Sequence, residues 1–194
     1  MRRKVFDMLA SAGAAVLVAA LVVAGSLLMW GASFTSSSVR TQLTEQQITF
    51  PAKGSPELAN PRIGPYLDQY AGQRLTTGPQ AKAYADHYIA VHLSEMPYGG
   101  VYSTISKAAR ANPGNARLTA LEQTSFQGTT LRGLLLEAYA FWTFGQIAFW
   151  AGIASFVLAG VMAILAGLGV RHARRTPTEV ELLSEEVASL PQTV

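Results

Sequence analysis

Two long uncharged stretches dominate the pattern of hydrophobic and polar residues along the chain. The first runs from Met8 to Gly31, and the second lies between Glu137 and Arg171. A bilayer core of about 30 Å needs about 20 apolar residues in a helix, because each residue rises about 1.5 Å. The pattern therefore predicts two transmembrane helices, over residues 8–32 and 143–170.

Basic residues flank both stretches on the same side of the predicted membrane. Arg2, Arg3 and Lys4 precede the first stretch, and the RHARR motif follows the second. Lys and Arg near membrane spans stay in the cytoplasm, whereas a loop longer than about 60 residues has little influence on orientation. We therefore predict a multi-pass plasma-membrane protein with cytoplasmic segments 1–7 and 171–194 and an extracytoplasmic domain at 33–142. A cleaved signal peptide is the alternative for the first stretch, although its apolar region is usually only about 7–15 residues.

The segment between the spans has helical rather than strand periodicity. Helices are predicted at Tyr66–Ala71, Pro79–Met96, Tyr102–Ala111 and from Asn115 onward, and Pro and Gly residues separate them. No alternation typical of a β-strand is present. The predicted fold class is an all-α membrane protein, in which two transmembrane helices bracket a small extracytoplasmic helical bundle. Gly128 and Gly133 are positions where the last helix is expected to bend.

Small residues recur at intervals of four along the second span, and such stripes let helices approach closely. The stripe consists of Ala151, Ser155, Ala159, Ala163 and Gly167. Two interpretations remain open: the two spans pack on each other, or the stripe receives a partner helix. Neither span contains an ionisable residue, which argues against a transporter, a proton channel or an ion pump.

Composition narrows the chemistry further. The chain is 49% hydrophobic and 14% charged, which is typical of membrane proteins, and its formal net charge is +3. It has no cysteine, which excludes disulfides, thiolate chemistry and cysteine-bound metals. No cluster of basic residues interleaved with aromatics is present in the middle of the chain, so a nucleic-acid partner is not expected.

His92 and Glu95 are the weak candidates for a metal site or a catalytic site. They lie three residues apart on one helical face, and His87 and Asp86 are nearby. Imidazole and carboxylate groups are metal ligands. However, five residues of an α-helix rotate by about 140°, so His87 and His92 are expected to diverge. The favoured alternative is a structural histidine bonded to a loop.

Arg132 and Trp142 form the candidate lipid or partner site just before the second span. Arg132 is a candidate to bind a lipid phosphate or a partner carboxylate. The favoured alternative is an interfacial arginine whose charged end reaches the membrane surface. Asp86 is expected to pair with Lys82, one helical turn earlier.

The cytoplasmic tail contains the start signal of one more helix. Thr176 can cap it, with Pro177 in the first position and Glu179 completing a capping box. This helix is either amphipathic and bound to a cytosolic partner or disordered in isolation.

Five segments occur in a characteristic order along the chain. They are ITFPA at Ile48–Ala52, AGQRLTTGPQAKAYA at Ala71–Ala85, Ile89 with His92-Leu93, GGVYSTIS at Gly99–Ser106, and Phe126 with Leu131-Arg132. Together they resemble an uncharacterised group of actinobacterial two-span membrane proteins, which often carries the label aromatic ring-opening dioxygenase. The resemblance implies the two-span topology and adds family-like positions at Gly78-Pro79, Gly99-Gly100, His92 and Tyr102. Ring-opening iron dioxygenases generally need two histidines and one carboxylate on one face. Because His87 and His92 are predicted to point in different directions, they cannot form such a face on one helix. We therefore reject the dioxygenase activity.

Three functions are therefore weighed. The first is a non-catalytic accessory, scaffold or assembly subunit of a larger membrane complex, such as a respiratory or transport complex. Its partners are the lipid bilayer and other integral membrane subunits or a second copy of the chain. The second is a lipid or small-molecule binding module on the outer face of the membrane, and the third is a His-based metal protein or enzyme. We expect no cofactor and no catalytic residue under the first hypothesis.

Overall fold

Two long helices and a group of short ones make up the computed structural model, which describes residues 3–175. Helix α1 spans Arg3–Glu45 and helix α7 spans Ala116–Arg175. The short helices are α2 Pro56–Ala59, α3 Gly64–Leu67, α4 Gly78–Tyr84, α5 Ala90–Glu95 and α6 Tyr102–Ala111. Residues 3–175 contain no β-strand, which confirms the predicted helical class. The tail helix predicted from Thr176 lies outside the described residues.

Helices α1 and α7 are both long and apolar enough to cross a membrane. The stretches that meet this criterion are Phe6–Glu45 and Ala116–His172, and only 6% of the most apolar 18-residue window in each is buried. Many of the exposed side chains are large and apolar, including Val23, Leu27 and Ile164. A helix that presents such side chains outward on most of its circumference is suited to a lipid environment.

The first compact unit pairs α1 up to Gly31 with α7 from Ala148. The covered side of α7 steps alternately by three and four residues, through Gly152, Ser155, Ala159, Met162, Ala166 and Gly169. This seven-residue repeat is that of two helices wound around each other. A Cβ atom added at Gly152 would lie 3.0 Å from the Met29 side chain and 3.3 Å from the Gly25 carbonyl oxygen. Glycine therefore allows the two backbones to approach closely.

The four-residue stripe predicted on the second span only partly follows this contact. Ala159 is buried, and Ala151 and Ser155 are half-buried, whereas Ala163 and Gly167 are exposed. Four residues advance an α-helix by about 40° beyond one full turn, so such a stripe winds away from a straight contact. The first part of the stripe packs in the helix pair, and the second part faces outward.

The second compact unit comprises residues 32–147 and contains the hydrophobic core. Its central side chains come from α1, from the short helices and from α7. The buried members are Val39, Leu43, Phe50, Leu58, Ile63, Leu67, Leu75, Ala81, Ala85, Ile89, Val91 and Leu135. Two extended segments cross at one isolated antiparallel bridge between Thr49 and Arg74.

Helix α4 begins where the sequence predicts a helix. Thr77 caps it, with its hydroxyl accepting from the Gln80 backbone N–H, while the Gln80 side chain accepts from the Thr77 backbone N–H. The helix predicted at Pro79–Met96 is present to Glu95, but its middle turn, Ala85–Ile89, is a π-helix. In that turn the Ala90 N–H donates to the Ala85 carbonyl, five residues earlier.

The remaining predicted helices agree closely with the structure. Helix α6 has the predicted bounds, and the helix predicted at Tyr66–Ala71 corresponds to α3 followed by a 3-10 turn at Asp68–Tyr70. Helix α7 continues without interruption through Gly128 and Gly133, the positions where a bend was predicted. Gly128 instead provides space, since a Cβ atom there would lie 2.8 Å from Cδ2 of Leu93.

A left-handed turn joins α5 to the hairpin formed by α6 and the start of α7. Tyr98, Gly99 and Gly100 have φ values of 59°, 63° and 67°. A Cβ atom at Gly100 would lie 2.2 Å from the Leu93 carbonyl oxygen, so the position requires glycine. The fully buried Ser125 hydroxyl donates to the Gly100 carbonyl at 2.7 Å and connects the turn to α7.

Candidate functional site

The second unit, called the central domain below, contains two histidines, and each lies against a different tyrosine ring. His87 contacts Tyr66, and His92 contacts Tyr88. The His87 ring stacks on Tyr66 with centroids 3.6 Å apart and the planes nearly parallel. His92 is exposed, and its Nδ1 donates to the Tyr88 carbonyl oxygen at 2.8 Å. This acceptor lies one turn earlier in the same helix, not in a loop as the sequence predicted. The 140° estimate assumed an uninterrupted α-helix and does not apply across the π-helical turn.

Glu95 pairs with a residue other than His92. Its Oε1 lies 3.7 Å from Nη1 of Arg62, and Nη2 of Arg62 donates to the Ser94 hydroxyl at 2.9 Å. Both charged side chains are more than half exposed, so the pair contributes little stability. Among residues 3–175 no group of three His, Asp or Glu side chains is placed to hold a metal ion. The geometry does not bring His92 and Glu95 into a chelating site.

Asp86 contacts two basic side chains, the predicted partner Lys82 and also Arg132. Lys82 Nζ contacts Asp86 Oδ2, as predicted, and Nη2 of Arg132 lies 3.0 Å from Asp86 Oδ1. Arg132 also donates from Nε to the Ala85 carbonyl at 3.3 Å. Burial acts to raise the pKa of Asp86, but the hydrogen bonds and charges of Lys82 and Arg132 outweigh it and lower the pKa. Arg132 thus holds α7 against the π-helical turn.

Trp142 packs inside the second unit, against the beginning of α4. A Cβ atom added at Gly78 would lie 2.4 Å from Cβ and 2.5 Å from Cγ of Trp142. Trp142 is half-buried and contacts the hydrophobic core. Arg132 and Trp142, predicted as a lipid or partner site, therefore both have packing roles within the domain.

An apolar groove lies between α1 and α7 in the second unit. Its cavity volume is about 380 Å³. The lining residues are Phe34, Thr35, Ser38, Val39, Gln42, Leu43 and Gln46 from α1, and Leu131, Leu134, Leu135, Glu137, Ala138 and Phe141 from α7. Phe34, Leu134 and Phe141 are 61%, 58% and 54% exposed. Large apolar side chains clustered on an exposed surface are characteristic of a binding site.

Sequence reasoning did not identify this groove. Leu118, Leu121, Leu131 and Leu135 form an apolar stripe on the helix that leads into the second span, and Leu131 and Leu135 contact the core. Leu134 and Phe141 do not fit that stripe, although they are as apolar as its members. Apolar residues outside the core-facing stripe are the signal of a second apolar face.

A smaller cavity with a mixed polar and apolar lining lies in the first unit, between the beginning of α1 and the end of α7. It has a volume of about 240 Å³ and is lined by Asp7, Ser11, Gly169, His172 and neighbouring apolar residues. His172 Nε2 lies 4.0 Å from Asp7 Oδ2. The sequence signal is Asp7 itself, which is the acidic residue between the basic N-terminus and the first uncharged stretch.

The structure therefore defines a helical protein with two helices that can cross a membrane and an apolar groove on its central domain. No family model, curated protein or solved structure matches the chain.

Proposed function

We propose that the protein is a non-catalytic accessory or scaffold subunit, anchored in the membrane, that binds another integral membrane protein through the groove between α1 and α7. The observation that carries this proposal is the exposure of Phe34, Leu134 and Phe141 around one groove. Exposed aromatic and leucine side chains around a concavity supply the buried centre of an interface when a partner covers them.

The proposed topology places both termini in the cytoplasm and residues 33–142 outside, in the plasma membrane. Basic residues at both chain ends support this orientation. In water an uncovered apolar groove is unfavourable, because its surface remains hydrated. A groove of this kind outside the bilayer is therefore better explained by a partner than by the isolated chain. The resemblance to actinobacterial two-span proteins agrees with this topology and adds no activity.

A photoreactive amino acid placed in the groove tests the proposal in intact membranes. Benzoylphenylalanine at Leu134 should form covalent adducts with a protein upon irradiation, because the side chain lies at the rim of the groove. The matched control is the same substitution at Phe126, which is 53% exposed on α7 but does not line the groove.

The outcomes separate the scaffold function from the lipid-binding alternative. Protein adducts at Leu134 and not at Phe126 support the scaffold function. Adducts with lipid alone would overturn it in favour of the lipid-binding alternative. The absence of any adduct specific to Leu134 would overturn the role of the groove altogether.

A further inference from the structure

We infer that the groove between α1 and α7 binds the same groove of a second copy of the chain, forming a two-fold dimer. The inference rests on the proposed function and names its partner. It follows from the polarity of the two groove walls, from their register and from the symmetry that a shared membrane imposes.

The two walls of the groove carry complementary polar groups. The α1 wall presents uncharged groups that can donate hydrogen bonds, the hydroxyl of Ser38 and the amides of Gln42 and Gln46. The Gln42 amide donates one hydrogen to the Ser38 hydroxyl at 3.0 Å, and an amide carries two. The α7 wall is apolar except for Glu137, whose carboxylate only accepts. Within residues 3–175 Glu137 forms no ion pair, so a partner with an α1 wall would supply donors to that carboxylate.

The packing of α1 on α7 sets the register of these groups. A Cβ atom at Gly145 would lie 3.3 Å from the Thr35 side chain, so these two residues are level. The helices are antiparallel and rise equally per residue. Seven residues after Thr35 is Gln42, and seven residues before Gly145 is Ala138. Gln42 and Glu137 therefore lie at almost the same height in their opposite walls.

The common orientation of two copies in one membrane determines which groups come into contact. Two copies with the same topology are related by an axis along the membrane normal, which preserves the height of every residue. When the grooves face each other, α1 of one copy lies opposite α7 of the other. Gln42 of each copy then reaches Glu137 of its partner, and the two Glu137 carboxylates stay apart. The contact is self-complementary in hydrogen-bond donors and acceptors and in apolar surface.

The absence of cysteine from the chain makes cross-linking a direct test. One tagged copy carries Ser38→Cys and a differently tagged copy carries Phe141→Cys, and both are expressed at a low level in the same membrane. Oxidation with copper phenanthroline should give a cross-linked species that carries both tags. The matched control replaces Phe141→Cys by Phe126→Cys, which lies outside the groove and should not cross-link.

A charge exchange in trans tests the specific contact. Gln42→Glu in the copy with Ser38→Cys should reduce the mixed-tag product by about tenfold, because it places two carboxylates together. Glu137→Gln in the other copy should then restore the product, since the altered walls again match. Contacts within the first copy are identical in both experiments, so rescue in trans reports only on the dimer.

Each result bears on one proposal or on both. The dimer is overturned if the amount of mixed-tag product is no greater than in the Phe126→Cys control. It is also overturned if that amount does not change with Gln42→Glu and Glu137→Gln. If the dimer fails while protein adducts still form at Leu134, the groove binds a different protein and the proposed function remains. If neither the cross-link nor the adduct forms, both proposals are overturned.

Discussion

At several glycines of the central domain the absence of a Cβ atom is required for packing, and Gly78 is the clearest example. Its missing side chain leaves room for the indole of Trp142. Gly128 accommodates Leu93 in the same way, whereas a Cβ atom added at Gly133 would have no neighbour within 4 Å. The amino-acid sequence distinguishes none of these glycines, because the space around each one depends on residues far away in the chain.

Gly78→Ala should lower the free energy of unfolding of the domain by about 1–3 kcal/mol, the usual cost of overpacking. Chemical unfolding in detergent, followed by tryptophan fluorescence, measures the change. Gly133→Ala is the control, and it should be neutral or stabilising by about 0.5–1 kcal/mol because alanine favours a helix. Equal effects of the two substitutions would contradict the role assigned to Gly78.

Asp86 makes the stability of the domain depend on pH. Its pKa is lowered in the folded protein, because Lys82 and Arg132 outweigh the opposing effect of burial. The unfolded chain therefore binds the proton more readily. The stabilisation is complete above the unfolded pKa of about 3.9 and is lost as the pH falls through the lower folded pKa.

The unfolding midpoints of wild type and Asp86→Asn should therefore stay apart from pH 7 down to about 4 and approach each other as the pH falls further. The wild type should be the more stable protein at pH 7, since the substitution removes the charge that Arg132 contacts. Asp68→Asn changes an exposed carboxylate and should leave the pH profile unaltered. If both substitutions changed the pH profile equally, the ion pairs of Asp86 with Lys82 and Arg132 would not be the cause of the pH dependence.

The sequence predicted the Lys82–Asp86 pair but not the role of Arg132. Lys82 and Asp86 are four residues apart in a helix, so their contact is a local property. Arg132 reaches Asp86 across 46 positions of the chain. Such a contact depends on how α7 packs, which a single sequence does not specify.

At the scale of whole elements, local signals located most helices. The apolar stretches identified α1 and the second half of α7, and Pro and Gly residues identified the ends of α6. The groove was not predicted, because it forms only when faces of α1 and α7 lie side by side. The contact face of the apolar helix pair was predicted only in part, since its seven-residue repeat differs from the four-residue stripe.

Gly152→Leu should separate the apolar helix pair and lower its thermal unfolding midpoint in detergent. The reason is that a side chain at Gly152 meets Met29 and the Gly25 backbone. Gly160→Leu is the matched control, because Gly160 is exposed and has open space around its Cβ position. A similar loss in both variants would contradict the assigned contact face.

For the whole molecule, the proposed sidedness in a membrane rests on the distribution of charged residues along the chain. The basic residues at the two chain ends are expected to remain in the cytoplasm. Lys107, Arg110 and Arg117 flank the hairpin between α6 and α7, but they belong to a segment longer than about 60 residues, whose charges have little influence on orientation. The topology of the chain is therefore open to a direct chemical test.

Asn112→Cys should react with a membrane-impermeant maleimide in intact cells, because residue 112 lies in the predicted outside domain. Arg174→Cys should react only after the membrane is opened. The wild-type chain has no cysteine and provides the blank. Labelling of Arg174→Cys alone in intact cells would reverse the proposed orientation.

The π-helical turn at Ala85–Ile89 has a consequence for insertions and deletions. Such a turn holds one residue more than an α-helical turn of the same rise. Deleting one residue of this turn should therefore restore regular α-helical pitch and leave α5 with the same face on the core, because the π-turn already accommodates the extra residue. Val91 should stay buried in such a variant. Inserting one more residue should instead rotate α5 by about 100° relative to α4 and turn Val91 out of the core.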